Sequence, residues 1–166
     1  MSKRVILIRH AKSSWSHQGL SDFERPLNGR GRENAPYMGQ KLHSHGFQID
    51  QIYSSPSKRT SQTIKRITKE IDFEYSEVEF ENSMYHGGTD DLLDVIHGVD
   101  DKHQCIALVT HNPGITYLAN YLQKDTYIAN VPTCGIVSIS FSMDTWLSIS
   151  ESNGSLEFFD YPKKDL

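Results

Sequence analysis

Four apolar residues in succession, Val5-Ile6-Leu7-Ile8, with no polar position between them, predict a strand over Lys3–Ile8 that is buried on both faces, as central strands of parallel sheets are. Gln104–Thr110 reads the same way, and Gln51–Ser54 is a shorter version. Between these runs the pattern changes to a helical period. Asn28 stands as N-cap of a helix reaching towards His45, with Gly46 as its stop. Pro36 falls inside that segment, so the helix is expected to start later than Asn28 or to be kinked. Ser57–Ile71 sets Ile64, Ile67 and Ile71 at i, i+3 and i+7. Thr89 is the expected N-cap of a helix with Leu92, Leu93, Val95 and Ile96 as its apolar stripe and Gly98 as its end, and Ile115–Leu122 makes a fourth helix. Tyr75–Phe80 reads as a strand and Lys12–Leu27 as a loop. The tail alternates over Gly135–Ser142, Trp146–Ser150 and Leu156–Phe159, which predicts further strands, partly antiparallel. Alternating strands and helices with a β-rich end predict an α/β fold, a three-layer α/β/α sandwich around a mostly parallel central sheet.

A length of 166 residues suits a single domain over 1–166, large enough to bury roughly 70 % of its unfolded surface. Hydrophobic residues make up 37 % of the chain and no apolar stretch approaches the ~18 needed to span a bilayer, so no membrane association is expected. The run before Arg9 is also too short for a secretory signal, which points to a cytoplasmic chain. A net charge of −4 leaves no global basic surface for nucleic acid. Cys105 and Cys134 lack a CxxC spacing and are expected to be buried free thiols. There is no phosphate-binding glycine loop, dinucleotide fingerprint or D-x-D sequence, so neither cofactor nor metal is implied. His43-Ser44-His45 has a metal-like spacing but no carboxylate or thiol close by in sequence, and His17, His97 and His103 sit in polar surroundings expected at the surface.

The chemistry gathers at strand ends. Arg9-His10 follows the first apolar run directly, and Ile106-Ala107-Leu108-Val109 leads through Thr110 to His111-Asn112-Pro113-Gly114. Ile52-Tyr53-Ser54-Ser55-Pro56 opens a helical segment that carries Arg59. Open α/β sheets bind ligands beyond the carboxyl ends of their strands. Two arginines and two histidines meeting there describe a site for a dianionic phosphoryl group, with one imidazole left over as nucleophile. Asn112 lies at a helix start, where backbone N–H groups favour anions, and is equally readable as a plain cap.

The strings Arg9-His10-Ala11-Lys12-Ser13-Ser14-Trp15, Ser54-Ser55-Pro56-Ser57-Lys58-Arg59-Thr60 and Val109-Thr110-His111-Asn112 resemble, in order and spacing, the histidine phosphatase superfamily that also contains the phosphoglycerate mutases. The short length and the run Asp22-Phe23-Glu24-Arg25-Pro26-Leu27-Asn28 are most similar to its SixA-like phosphohistidine phosphatases. The resemblance implies a metal-independent phosphatase in which His10 accepts the phosphoryl group, Arg9 and Arg59 hold its oxygens, and His111 adds a further hydrogen bond. Ser16 stands where larger members carry a phosphate-contacting Asn, and Ala11-Lys12 replaces their Gly-Glu. Arg25 resembles an arginine of the SixA-like branch at the pocket rim, and Trp15 is readable as a packing residue. The general acid of larger members falls among Glu79, Glu81, Tyr85 and His86 without a unique match. The implied partner is a protein bearing phosphohistidine or a small phosphorylated compound. A mutase would need an enclosing lid, for which only Phe73–Thr89 is available, and a non-catalytic phosphate-binding adaptor would have no use for His10.

Overall fold

The computed structural model describes residues 2–164. Its strands are β1 (Lys3–Arg9), β2 (Gln51–Ser54), β3 (Glu79–Phe80), β4 (Cys105–Thr110), β5 (Ile136–Phe141) and β6 (Ser155–Asp160). The helices are α1 (Gly29–Ser44), α2 (Lys58–Thr68), α3 (Thr89–His97) and α4 (Gly114–Leu122). One sheet takes the order β3-β2-β4-β1-β5-β6. The pairs from β3 to β1 are parallel, and β5 and β6 close the other side antiparallel.

β1 lies between β4 and β5, and its centre, Val5-Ile6-Leu7-Ile8, is apolar without interruption because both of its faces are covered. Successive side chains point to opposite sides, so Val5 and Leu7 join α3 and α4 through Leu92, Ile96, Ile115 and Leu118. Ile6 and Ile8 join α1 and α2 through Ala35, Met38, Ile64 and Ile67. These two cores are the interfaces of the three-layer α/β/α sandwich. Cys105 and Cys134 are buried free thiols, one at the start of β4 and one just ahead of β5. Among the described residues no helix is long and apolar enough to cross a membrane.

Asn28 caps α1 as the pattern reading has it, and three other elements differ from that reading. α1 starts at Gly29 and continues through Pro36, because Asn28 Oδ1 accepts the Gly31 amide at 2.9 Å and Ala35, Met38 and Leu42 bury one face on either side of the proline. Tyr75–Phe80 divides into a 3₁₀ turn over Tyr75–Glu77 and a two-residue edge strand, β3. Gly88, not Thr89, is the N-cap of α3, with its amide bonded to Asp91 Oδ2 at 3.2 Å. Trp146–Ser150 is no strand: Trp146–Ser148 forms a 3₁₀ turn that buries Trp146 and Ile149 at a spacing of three while Leu147 faces outward. Trp146 is anchored by its backbone N–H on Asp101 and its indole N–H on the His103 carbonyl. Of the three histidines expected at the surface only His17 is exposed, and His97 bonds the Ile149 carbonyl at 2.8 Å. His45 stacks on Phe158 with ring centroids 3.7 Å apart and contacts Asp160 at 3.0 Å.

Candidate active site

The carboxyl ends of β1, β4 and β2 are laced together by backbone bonds that outlast the strands. The His10 amide donates to the Thr110 carbonyl, the Ser55 amide to Val109, and the Cys134 amide to the His10 carbonyl. This lacing sets His10, Ser55 and His111 at one sheet edge, where the centroids of the two imidazoles are 5.4 Å apart. α2 then presents Arg59 from its first turn. Its cap is firm: Ser57 Oγ accepts from the Thr60 amide and Thr60 Oγ1 donates to the Ser55 carbonyl.

His10 is 7 % exposed, and its Nδ1 lies 2.7 Å from the Ala11 carbonyl oxygen. A carbonyl only accepts, so Nδ1 carries the proton and Nε2 keeps its lone pair. The neighbouring Ala11 amide is itself held by Thr63 Oγ1 at 2.9 Å. Burial pushes the His10 pKa down to about 4, and the cations Arg59, Arg9 and Arg25 add to the shift. The ring is therefore neutral at neutral pH. Burial also pushes His111 down to about 3, with His10 and Arg59 contributing. His111 Nε2 is 2.8 Å from Ser55 Oγ, and its Nδ1 is buried without a partner among the described residues.

The cations are placed unevenly. Arg9 Nη1 donates to the Val131 carbonyl at 2.9 Å while its Nε is buried and unpartnered among the described residues. Desolvation, reinforced by Arg59, lowers the Arg9 pKa. Arg59 donates through Nη1 to the Asp22 carbonyl at 2.7 Å and through Nη2 to Asp22 Oδ2 at 3.0 Å. Arg25 binds the Ser14 carbonyl, Ser13 Oγ and Asp22 Oδ1, with its guanidinium 3.3 Å over the Trp15 ring. Tyr85 donates its hydroxyl to Asp22 Oδ2 at 2.6 Å. Partial burial would raise the Asp22 pKa, but Tyr85, Arg59 and Arg25 outweigh it and hold the carboxyl well below the usual carboxylate range.

Arg9, His10, Ser13, Trp15, Ser16, Arg25 and Arg59 line a cleft of about 590 Å³. Beyond Arg59 a hollow of about 280 Å³ is lined by Tyr85, His86, His111 and Asn112. Ser16 reaches the cleft wall with its Oγ 2.8 Å from Ser14 Oγ. Asn112 is engaged at both ends of its amide: Nδ2 donates to Asn130 Oδ1 and the Val131 carbonyl, and Oδ1 accepts from Thr116. Glu79 and Glu81 line a separate cleft with Tyr53 and Asp94, away from the imidazoles.

Asp22 and Ser55 belong to the constellation although pattern reading gave neither a role. The i, i+3 spacing of Asp22 and Arg25 was the available signal for the first, and it became an ion pair across the 3₁₀ turn Asp22–Glu24. Ser55 lies one residue past β2, the position its two counterparts hold at β1 and β4.

Residues 5–84 match the family model of the histidine phosphatase superfamily (branch 1). An uncharacterised chloroplastic protein of Arabidopsis thaliana is 40 % identical over 86 residues, 51 % of this chain and 39 % of that one. The mitochondrial serine/threonine-protein phosphatase Pgam5 of Drosophila grimshawi is 35 % identical over 78 residues, 47 % of this chain and 26 % of that one. The chain thus spans well under half the length of these curated relatives. Over the whole fold, a solved structure from Nakamurella multipartitia assigned as the phosphohistidine phosphatase SixA superposes with a TM-score of 0.86 at 20 % identity, covering 98 % of each chain. With the paired strand-end histidines and the arginines around them, the stretch that carries Arg9, His10 and Arg59 is the one that resembles the histidine phosphatase superfamily.

Proposed function

We propose that the protein is a phosphatase that passes a phosphoryl group through Nε2 of His10 to water, and that its substrate is phosphohistidine in a polypeptide. The observation that carries this reading is the state of His10: a neutral imidazole with its Nδ1 proton pinned on the Ala11 carbonyl and its Nε2 lone pair free, beside three guanidinium groups. Nε2 attacks phosphorus while the substrate's phosphorus–nitrogen bond breaks and the departing imidazole takes up a proton. Water then attacks phospho-His10, releasing inorganic phosphate and restoring the neutral ring. Phosphoryl transfer runs through a loose transition state, so the work left to the protein is positioning and neutralising charge. Arg9 and Arg59 are suited to it because planar guanidinium forks match phosphate oxygens. The reaction drawn this way calls for no metal or cofactor.

Asp22 decides two details. Its carboxylate lies across the N–H groups of Arg59 that a phosphate would take, so binding exchanges one anion for another. A carboxyl ionised so far below neutrality is also a poor proton donor. Tyr85 differs in that it keeps its proton and lines the hollow beyond Arg59, although burial and the bond to Asp22 raise its pKa and make it a weaker acid than a free phenol. It is the acid candidate best placed for an alkyl leaving group. An imidazole leaving group needs less help, which favours phosphohistidine over the alkyl phosphates implied by a serine/threonine phosphatase relative. The SixA-type fold supports the same preference.

The test is a panel run with chelator present: a phosphohistidine protein, an aryl phosphate, a phosphoserine peptide and phosphoglycerate. The first two are expected to turn over much faster than the last two, and His10→Ala to abolish all turnover. Labelling quenched in alkaline detergent should trap a base-stable, acid-labile adduct on His10. More than a few per cent residual activity in the variant would overturn the nucleophile, and equal kcat/KM across the panel would overturn the substrate class.

A further inference from the structure

The catalytic cleft has a neighbour that the proposed reaction does not use. Lys12, Arg30, Thr133, Pro132, Tyr161 and Lys163 line a second hollow of about 260 Å³, and Lys12 and Thr133 also line the cleft that holds His10. The two hollows are thus neighbours, with Lys12 and Thr133 on both linings.

Three positive side chains meet in this hollow although the chain carries a net charge of −4. Several cations elsewhere are matched: Arg4 pairs with Glu157, Arg25 and Arg59 with Asp22, and Lys164 with Asp160. Among the described residues no acceptor lies within hydrogen-bond distance of the Lys12 ammonium, the Arg30 guanidinium or the Lys163 ammonium. The arrangement is built into the backbone. The Asn28 amide donates to the Lys12 carbonyl at 3.0 Å, and a Cβ at Gly31 would collide with that same carbonyl, so only glycine lets the start of α1 close on this loop and carry Arg30 to Lys12. Arg30 also sits in the first turn of α1, where a cation opposes the helix dipole and no acidic residue offsets it.

We propose that this hollow is a specificity pocket for a second anionic group of the substrate, the carboxylate of an Asp or Glu side chain close in sequence to the phosphohistidine. The inference rests on the phosphatase reading above for the first anion and adds the second. A hollow of about 260 Å³ suits one side chain, and it is partly open to the surface beside the cleft that holds His10, which suits a polypeptide lying over both. Tyr161 and Pro132 supply an apolar wall for the methylene groups, while the cations supply charge complementarity of the kind that sets specificity and encounter rate.

The experiment compares two phosphohistidine peptides that differ only in Glu or Ala residues scanned across the positions flanking the phosphohistidine. For the wild type kcat/KM should favour the best acidic peptide by about tenfold at low salt, as expected for several exposed charges acting together. The Arg30→Ser/Lys163→Ser double variant should bring that ratio close to one, and Arg30→Lys/Lys163→Arg should restore it. A second readout does not need turnover: fluorescence anisotropy with the same peptide pair carrying a stable phosphohistidine analogue. A wild-type ratio near one in both assays, or a ratio unchanged by the double variant, overturns the pocket. Charge-dependent discrimination in anisotropy with no hydrolysis of any substrate would overturn the phosphatase reading and leave the pocket standing.

Discussion

Lowering the pH from about 7 to about 5 should destabilise the fold through His10, by an amount the site's geometry sets. Burial and the neighbouring arginines push its pKa from 6.5 to about 4, whereas the imidazole of the unfolded chain titrates near 6.5. Between those values the unfolded state binds more protons than the folded one. Stability therefore rises with pH across the window and is lost as pH falls from about 6.5 towards about 4. At about pH 5 the unfolded imidazole is almost fully charged and the folded one almost fully neutral. Relative to about pH 7 the linkage amounts to about 2 kcal/mol, at roughly 1.4 kcal/mol per pKa unit. His111, pushed to about 3, adds a slope of its own, so the wild type alone cannot isolate His10. Comparison with His10→Gln does, because the variant retains His111. Urea unfolding at the two pH values should show the wild type losing about 2 kcal/mol more than the variant. NMR of the imidazole nitrogens should report a neutral His10 ring with the proton on Nδ1 down to about pH 5. Equal pH-dependent losses in the two proteins, or a His10 titration near 6.5, would refute the buried neutral nucleophile and with it the reason for placing the phosphoryl group on Nε2.

Arg59→Ala should slow turnover by on the order of 10²–10⁴, as removal of a preorganised charge stabiliser does, and weaken vanadate or phosphate binding in isothermal titration; unchanged oxyanion affinity would remove Arg59 from the site. Asp22→Asn should tighten the binding of the same oxyanions several-fold, because the carboxylate competing for Arg59 and Arg25 becomes neutral while its shape is kept. Weaker binding in that variant would show that Asp22 positions the arginines rather than competing at them. Asn112→Ala should cost about 1–3 kcal/mol in urea unfolding, since it strands the partners at Asn130, Val131 and Thr116, and should leave oxyanion affinity nearly unchanged.

What the chain discloses locally and what it hides follow from the range of the interactions concerned. β1 was legible because the burial of both faces writes itself as an unbroken apolar run, and the alternation of Val5 and Leu7 against Ile6 and Ile8 between two cores follows from that alone. Arg9, His10, Arg59 and His111 were legible because each lies within two residues of an element boundary. Trp146 was misread because a 3₁₀ turn that buries every third residue looks, over five positions, much like a strand that buries every second. Asp22 escaped for another reason. Apart from the pairing with Arg25 three residues on, its bonds run to Arg59 and Tyr85, 37 and 63 residues away, and the companion bond from Arg25 to Ser13 crosses 12. No local period records contacts of that range. The loop Lys12–Leu27, which pattern reading left without structure, is where the site's charges are sorted: it supplies Arg25 against the cleft, Asp22 against Arg59, and Lys12 at the seam between the two hollows. Strand ends determine where His10 stands, and this loop sets the charges that surround it.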